Sequence, residues 1–155
     1  MERSTVLFAY KKLDRDGRGE YNGAMDRTEL LILILSCLLL LRLVWEALQA
    51  AEALEAEGIS AEVLNVATVK PLDEAAIIAS LKKTGCAVVA EEHNAFGGLG
   101  EAVASVVAAK IPTPLEFVNG EDKFGQSGTP AELMKAWGFD AAHLAAAAKK
   151  AIGRK

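Results

Sequence analysis

The sequence predicts an α/β fold, a three-layer sandwich in which helices cover both faces of a mostly parallel sheet of about five strands. Short apolar runs alternate along the chain with amphipathic segments of about 10–15 residues, a pattern typical of successive strand–helix–strand units. The runs are continuously apolar, as expected for strands that are buried on both faces. Capping residues and glycines mark several boundaries between the elements.

Five segments are predicted to be strands. Val6–Tyr10 is a short run followed by a charged stretch, and Leu30–Leu35 is the most apolar of the five. The other three strands are Ala61–Val66, Ala87–Ala90 and Leu115–Val118.

The first helix follows Leu35 and is predicted to bury one face. That face carries Val44, Leu48, Ala51 and Leu54. The opposite face carries Glu46, Gln49 and Glu52, and Gly58 supplies a left-handed end.

Boundary signals frame the later helices. One helix opens at Pro71 and Asp73 and ends at Gly85, and another carries apolar residues at helical spacing from Leu99 to Ile111. Thr129 begins a capping box, because a proline follows it at the first helical position and a glutamate at the third. The last helix is predicted to follow Asp140 and to run to Ile152.

Composition limits the possible functions. The chain has 155 residues, of which 52% are hydrophobic and 25% charged, and its net charge is −4. Lys and Arg are dispersed, which argues against a nucleic-acid binder. Cys37 and Cys86 lie in apolar runs and are predicted to be buried, reduced thiols rather than a disulfide or a metal pair. We expect a cytoplasmic protein.

The N-terminal region is harder to assign. Residues 1–29 mix charge with glycine and lack the apolar core of a secretory signal, so we treat them as separate from a domain at residues 30–155. The apolar run at 30–44 has Arg42 within it. A helix over 30–45 would span roughly 24 Å, short of a bilayer core of about 30 Å. We therefore expect a buried strand and helix there, with a membrane anchor as the alternative.

The most informative stretch is Cys86–Gly100, CAVVAEEHNAFGGLG. A strand ends in two carboxylates and a histidine, and a glycine-rich turn leads into a helix. Functional groups often lie at this end of a strand in an open α/β sheet.

This stretch resembles the C-terminal domain of the transketolase family, whose members often carry E-x-H and G-G-L-G after a strand. TVKPLD at Thr68–Asp73, DKFGQSGTP at Asp122–Pro130 and the boundary at Gly138–Asp140 agree with the family in the same order. The resemblance covers about residues 45–155. It departs from the family pattern at Ser36–Cys37, where members usually carry a small-residue turn such as Thr-Gly, and residues 1–29 do not resemble the end of a pyrimidine-binding domain. An altered or truncated gene start is one hypothesis for both departures.

The resemblance implies that this chain is one part of an enzyme. The family transfers two-carbon ketol units between sugar phosphates, as in the pentose phosphate pathway, using thiamine diphosphate and a divalent cation held between a pyrophosphate-binding and a pyrimidine-binding domain. We therefore expect this chain to bind no cofactor alone and to lack activity alone. Its expected role is to pack against a pyrimidine-binding domain or subunit and to support a homo- or hetero-oligomer such as a dimer.

Candidate binding or interface residues cluster in two loops. His93 could exchange protons or meet a ligand at the mouth of the active site, or it could orient its loop. Glycine amides at the helix start could hold an anion, or the glycines could serve a tight turn. The candidates are Glu91, Glu92, His93, Gly97, Gly98, Gly100, Asp122, Ser127 and Gly128.

Several other sites are disfavoured by spacing. Glu91 and Glu92 are adjacent, so on a strand they point to opposite faces and cannot form an acid–base pair. Ser127, His93 and Asp122 lack the nucleophile elbow of a serine hydrolase. The G-G-L-G turn is not the dinucleotide fingerprint, and no residues have the spacing of a zinc site.

Two alternatives to a transketolase part remain open. The same type of domain occurs in β subunits of 2-oxo acid dehydrogenases and in deoxyxylulose-phosphate synthase. The chain could also be a stand-alone module that binds an anion or another small molecule through the amides after Gly97.

Overall fold

The computed structural model describes residues 3–9 and 42–155. The strands are β1 (Arg3–Ala9), β2 (Ser60–Val66), β3 (Ala87–Ala90) and β4 (Leu115–Val118). The helices are α1 (Arg42–Ala56), α2 (Glu74–Thr84), α3 (Leu99–Lys110), α4 (Pro130–Ala136) and α5 (Ala141–Ile152).

The sheet has the strand order β2-β1-β3-β4, and all neighbouring strands are parallel. This confirms the predicted α/β class and parallel sheet, with four strands in the described residues against about five predicted. The strand predicted at Leu30–Leu35 lies outside the described residues, as does Cys37. β1 overlaps the strand predicted at Val6–Tyr10 and pairs with both β2 and β3, while the domain boundary at residue 30 stays a prediction.

Alternate residues of β3 point to opposite faces and meet two separate cores. On one face, Val88 and Ala90 pack with α1 and α5. On the other face, Ala87 and Val89 pack with α2 and α3 through side chains such as Leu99. All four strand residues are buried, so β3 lies in the middle layer of a three-layer sandwich.

The predicted boundary signals are present in the structure. The Asp73 carboxylate accepts a hydrogen bond from the Ala76 amide at 3.0 Å, and Gly85 ends α2 in the left-handed conformation. Thr129 and Glu132 form both halves of the capping box at α4. Asp140 accepts from the His143 amide at 2.9 Å and so caps α5.

The predicted buried face of α1 was partly wrong, since Leu54 is buried and Val44 and Ala51 are partly buried, but Leu48 is not. Its fully buried residues are Leu43, Ala47, Ala50 and Leu54, whereas Leu48 is 45% exposed. Glu46 was expected to point away from the core, but it is only half-exposed and accepts a hydrogen bond from the Ala141 amide at 3.0 Å. The buried face packs in one cluster with Leu144, Ala145 and Ala148 of α5, and this long-range contact selects the face that is buried.

A buried carboxylate joins the last helix to the outer strand. Glu116 on β4 is 8% exposed, and its oxygens accept from Lys150 at 2.7 Å and from Arg154 at 2.5 Å. Burial raises the pKa of Glu116, but the two cations outweigh burial and hold that pKa below its ordinary value. The pair of bonds fixes the end of α5 against β4.

Among the helices of the described residues, none is both long enough and apolar enough to cross a bilayer.

Candidate functional site

Two loops meet at the carboxyl edge of the sheet because β3 and β4 are parallel neighbours. The ladder continues one residue past β3, where the Glu91 amide donates to the Val118 carbonyl at 3.0 Å. Farther out, the Gly120 amide donates to the His93 carbonyl at 2.8 Å. The loop after β3 and the loop after β4 are therefore held together by backbone hydrogen bonds.

The Glu91 side chain caps helix α3. It is only 4% exposed, and its two oxygens accept hydrogen bonds from the Leu99 amide at 2.7 Å and from the Gly100 amide at 2.8 Å. These are the first amides of α3, which have no partner within the helix. The negative charge also lies at the positive end of the helix dipole, where it is stabilising.

The glycines of the turn make room for this carboxylate. A Cβ at Gly98 would lie 2.2 Å from a Glu91 oxygen, and one at Gly100 would lie 3.1 Å from the other oxygen and 3.1 Å from the Phe117 ring. Gly97 has a φ of +77°, a conformation that side chains disfavour. Its amide donates to the Glu101 carboxylate at 2.7 Å.

The amides at the start of α3 are thus bound by carboxylates of this chain. Of the two interpretations of the glycine run, the structure favours the tight turn over an anion cradle. Glu91, predicted as a candidate binding or interface residue, lies inside the fold and contacts the start of α3 in the same chain. Glu92 follows on the opposite side and is exposed, as the alternation along a strand predicts.

His93 and Glu92 line a pocket of about 510 Å³ at this edge. Partial desolvation raises the pKa of Glu92 although much of its surface is exposed, and the Arg42 guanidinium, which lowers the pKa, offsets only part of that effect. His93 is exposed, and its Nδ1 lies 3.2 Å from the Asn94 carbonyl oxygen. In the tautomer protonated at Nδ1, the ring donates to that carbonyl and helps to hold the loop.

Both apolar and charged side chains line the pocket. The apolar ones come from α4 and the turn that follows, namely Leu133, Met134, Trp137 and Phe139. The rings of Trp137 and Phe139 are stacked with their centroids 6.5 Å apart. The charged or ionisable ones are Arg42, Glu92, His93 and Lys123.

The loop after β4 carries the remaining candidates, and all residues from 121 to 130 are exposed. Asn119, Glu121 and Lys123 form hydrogen bonds at one end and Thr129 with Glu132 at the other, whereas Asp122 and Ser127 do not take part in these bonds. Gly128 packs near Leu133, since a Cβ there would lie 3.4 Å from that side chain. The structure does not bring Ser127, His93 and Asp122 together as a hydrogen-bonded set.

Within the described residues, no three His, Cys, Asp or Glu side chains are grouped so that they could hold a metal ion. The amides of Gly97, Leu99 and Gly100 already bind Glu101 and Glu91, so this helix start does not fit a pyrophosphate. Cys86 is buried.

Two features of this edge escaped the sequence analysis. Arg42 and the stacked ring pair come from segments far apart in the chain, and no local pattern links them. Phe124 is 98% exposed. A lone aromatic residue in a polar, glycine-containing loop was a signal that could have identified it.

Comparisons with known proteins agree with one family. The profile of the family described as "Transketolase, C-terminal domain" matches residues 42–144. A 6-deoxy-6-sulfo-D-fructose transketolase subunit of a Clostridium species is 45% identical over 113 residues, which cover 73% of this chain and 35% of the relative. A putative transketolase C-terminal section of Methanocaldococcus jannaschii is 43% identical over 101 residues, covering 64% of this chain and 31% of the relative.

A solved structure agrees as well. The chain resembles a split-gene transketolase described as an inactive β4 tetramer, with a TM-score of 0.72 and 33% identity, over 98% of this chain and 39% of that chain. This chain thus spans between 31% and 39% of these three proteins. With its parallel sheet, its glutamate-capped glycine turn and a profile match over residues 42–144, the chain belongs to the transketolase C-terminal domain family.

Proposed function

We propose that this chain is the C-terminal part of a thiamine-diphosphate-dependent transketolase, and that it serves in packing and oligomer support rather than in catalysis. In this proposal the reaction is two-carbon ketol transfer between sugar phosphates in the cytoplasm. Other domains or subunits hold thiamine diphosphate and the divalent cation, and supply the pyrimidine-binding and pyrophosphate-binding surfaces.

The observation that carries the proposal is the share of each relative that the chain spans. Its match to the Clostridium transketolase subunit accounts for 35% of that protein. The remainder of that relative lies outside the segment that matches this chain. The occupied amides at α3 support the same conclusion, because the pyrophosphate of the cofactor would have to displace Glu91 or Glu101 to bind there.

The test uses the purified chain with thiamine diphosphate, Mg²⁺ and a set of ketose phosphate donors and aldose acceptors. We expect no turnover by the chain alone and turnover once its companion subunits are added. Turnover by the chain alone, free of contaminating enzyme, would contradict the proposal.

Companion proteins are best found by affinity purification of the full chain from its native source, followed by mass spectrometry. A partner with transketolase pyrimidine-binding and pyrophosphate-binding domains is the expected result. Recovery of a 2-oxo acid dehydrogenase α subunit or a deoxyxylulose-phosphate synthase would instead support the alternative that the chain serves one of those enzymes.

The small-molecule module is a separate alternative with a separate test. Calorimetry of the chain with sugar phosphates and nucleotides is expected to show no binding at the α3 amides. Binding that a Gly98→Val substitution abolishes would favour that alternative.

A further inference from the structure

We propose that the loop after β4 and the neighbouring pocket form one reciprocal docking surface for the companion transketolase domain. In this arrangement Phe124 inserts into an apolar recess of the companion, and an apolar side chain of the companion enters the pocket beside His93. The inference rests on the proposed function and deepens it, because it assigns the contact to particular residues.

Phe124 is the first piece of evidence. Its side chain is 98% exposed, so it contributes almost no packing to the described part of the fold. Exposing a phenyl ring to water costs free energy, and burial of the ring against another apolar surface recovers it. Aromatic side chains of this kind are enriched at the centres of protein interfaces.

The stretch that leads to Phe124 forms hydrogen bonds of its own. The Asn119 side chain accepts from the Glu121 amide at 3.0 Å, and the Lys123 amide donates to the Gly120 carbonyl at 3.0 Å. Lys123 also forms an ion pair with Glu121. These contacts reduce the conformational entropy that residues 119–123 would lose when a partner binds.

The pocket is the second, complementary half of the surface. Its lining combines apolar side chains with charged ones, as protein interfaces do. The hydrogen bond from Gly120 to the His93 carbonyl connects the loop that carries Phe124 to the loop that borders the pocket. A companion that contacts one half therefore meets the other.

The companion domain is the occupant that the observations favour. The matched relatives are about three times as long as the segment shared with this chain, so in each of them a domain of this type accompanies a larger part. A second copy of this chain would carry the same projecting ring and the same pocket. Self-association is therefore the competing occupant that the experiment has to distinguish.

The experiment compares three forms of the full chain: wild type, Phe124→Ala and Leu48→Ala. Leu48 is a matched control because it is an apolar side chain that is 45% exposed but lies on α1 and does not line the pocket. Each form is titrated against the companion subunit identified by co-purification. We expect Phe124→Ala to weaken binding at least tenfold, as the loss of a central aromatic contact does, and Leu48→Ala to leave the affinity unchanged within about twofold.

A second readout does not depend on substitution. Hydrogen–deuterium exchange of the wild-type complex should show protection of residues 119–129 and of the segment around His93. A Phe124→Leu variant should recover part of the lost affinity because it restores apolar contact area.

Other outcomes overturn the inference in distinguishable ways. Equal affinity of wild type and Phe124→Ala, or protection confined to other surfaces, would refute the docking surface while leaving the proposed function intact. Dimerisation of the wild-type chain alone that Phe124→Ala abolishes would assign the surface to a second copy. Recovery of no transketolase-type companion would overturn both proposals.

Discussion

The loops that follow β3 and β4 lie side by side at one edge of the sheet, yet Glu91 of the first and Phe124 of the second are placed in opposite ways. The first turns its carboxylate inward, where Glu91 binds the amides of α3. The second turns its aromatic residue outward, where Phe124 contacts almost nothing in the described fold. We infer that Glu91 contributes to stability and Phe124 to recognition, and that substitutions should separate the two properties.

The largest expected effect is that of Glu91→Ala. The substitution leaves two buried helix amides without an acceptor and removes a charge from the positive end of α3, at a cost of about 3 kcal/mol. For a chain of this length the loss corresponds to a fall in Tm of roughly 6–12 °C, measurable by calorimetry. Glu101→Ala, which removes an exposed carboxylate from the same helix end, should cost less than about 1 kcal/mol. Equal losses would contradict the special role of Glu91.

The next effect is that of Gly98→Ala, which should destabilise the chain by about 2 kcal/mol because its Cβ would displace the Glu91 carboxylate. Gly97→Ala is the matched control: a Cβ there meets nothing within 4 Å, so its cost of about 1 kcal/mol comes from the backbone conformation alone. In a Glu91→Ala background Gly98→Ala should lose most of its effect. Additive losses in urea denaturation would show that the two residues do not interact.

A smaller effect is expected at the second inward carboxylate, Glu116. Glu116→Gln should cost about 1–2 kcal/mol at pH 7, whereas Glu62→Gln, at the exposed ion pair with Lys83, should cost at most about 1 kcal/mol. The pKa of Glu116 in the folded chain lies below its value in the unfolded chain. The ionised carboxylate therefore stabilises the fold above a pH of about 4.3, and this stabilisation is lost as the pH falls through the folded-state pKa.

The measurement is the free energy of unfolding of wild type and Glu116→Gln between pH 7 and pH 3. The difference between them should shrink as the pH falls. A difference that stays constant over this range would mean that the charge of Glu116 is not what stabilises the end of α5.

The smallest effect on stability is expected for Phe124→Ala, within about 0.5 kcal/mol of wild type, because an exposed side chain has few contacts to lose. Calorimetry checks this directly. A large destabilisation would place Phe124 among the residues that hold the fold together, and the contrast between the two loops would fail.

Local patterns predicted most of the fold, and long-range contacts account for what they missed. Thr129, Asp140 and Gly85 act within their own helix ends, so their roles could be predicted from neighbouring residues. The buried face of α1 could not, since apolar residues occur on two adjacent faces and packing against α5 selects between them. Periodicity alone does not carry that information.

The site shows the same division. The G-G-L-G turn was visible in the sequence, and its tight strand-to-helix geometry followed from glycine chemistry. The partner of that turn was not visible, because Glu91 reaches amides eight and nine residues further along only once α3 has docked on the sheet. The pocket likewise joins Arg42 to residues of α4 that lie more than eighty positions away.

The close approach of Gly98 to the Glu91 carboxylate has a consequence for evolution and for design. A lineage that acquired a side chain at position 98 would be expected to shorten or neutralise position 91 as well, so that the two sites change together. An engineer who transplants this strand-to-helix junction into another scaffold should accordingly transfer the acidic residue and both of its glycine neighbours as one unit.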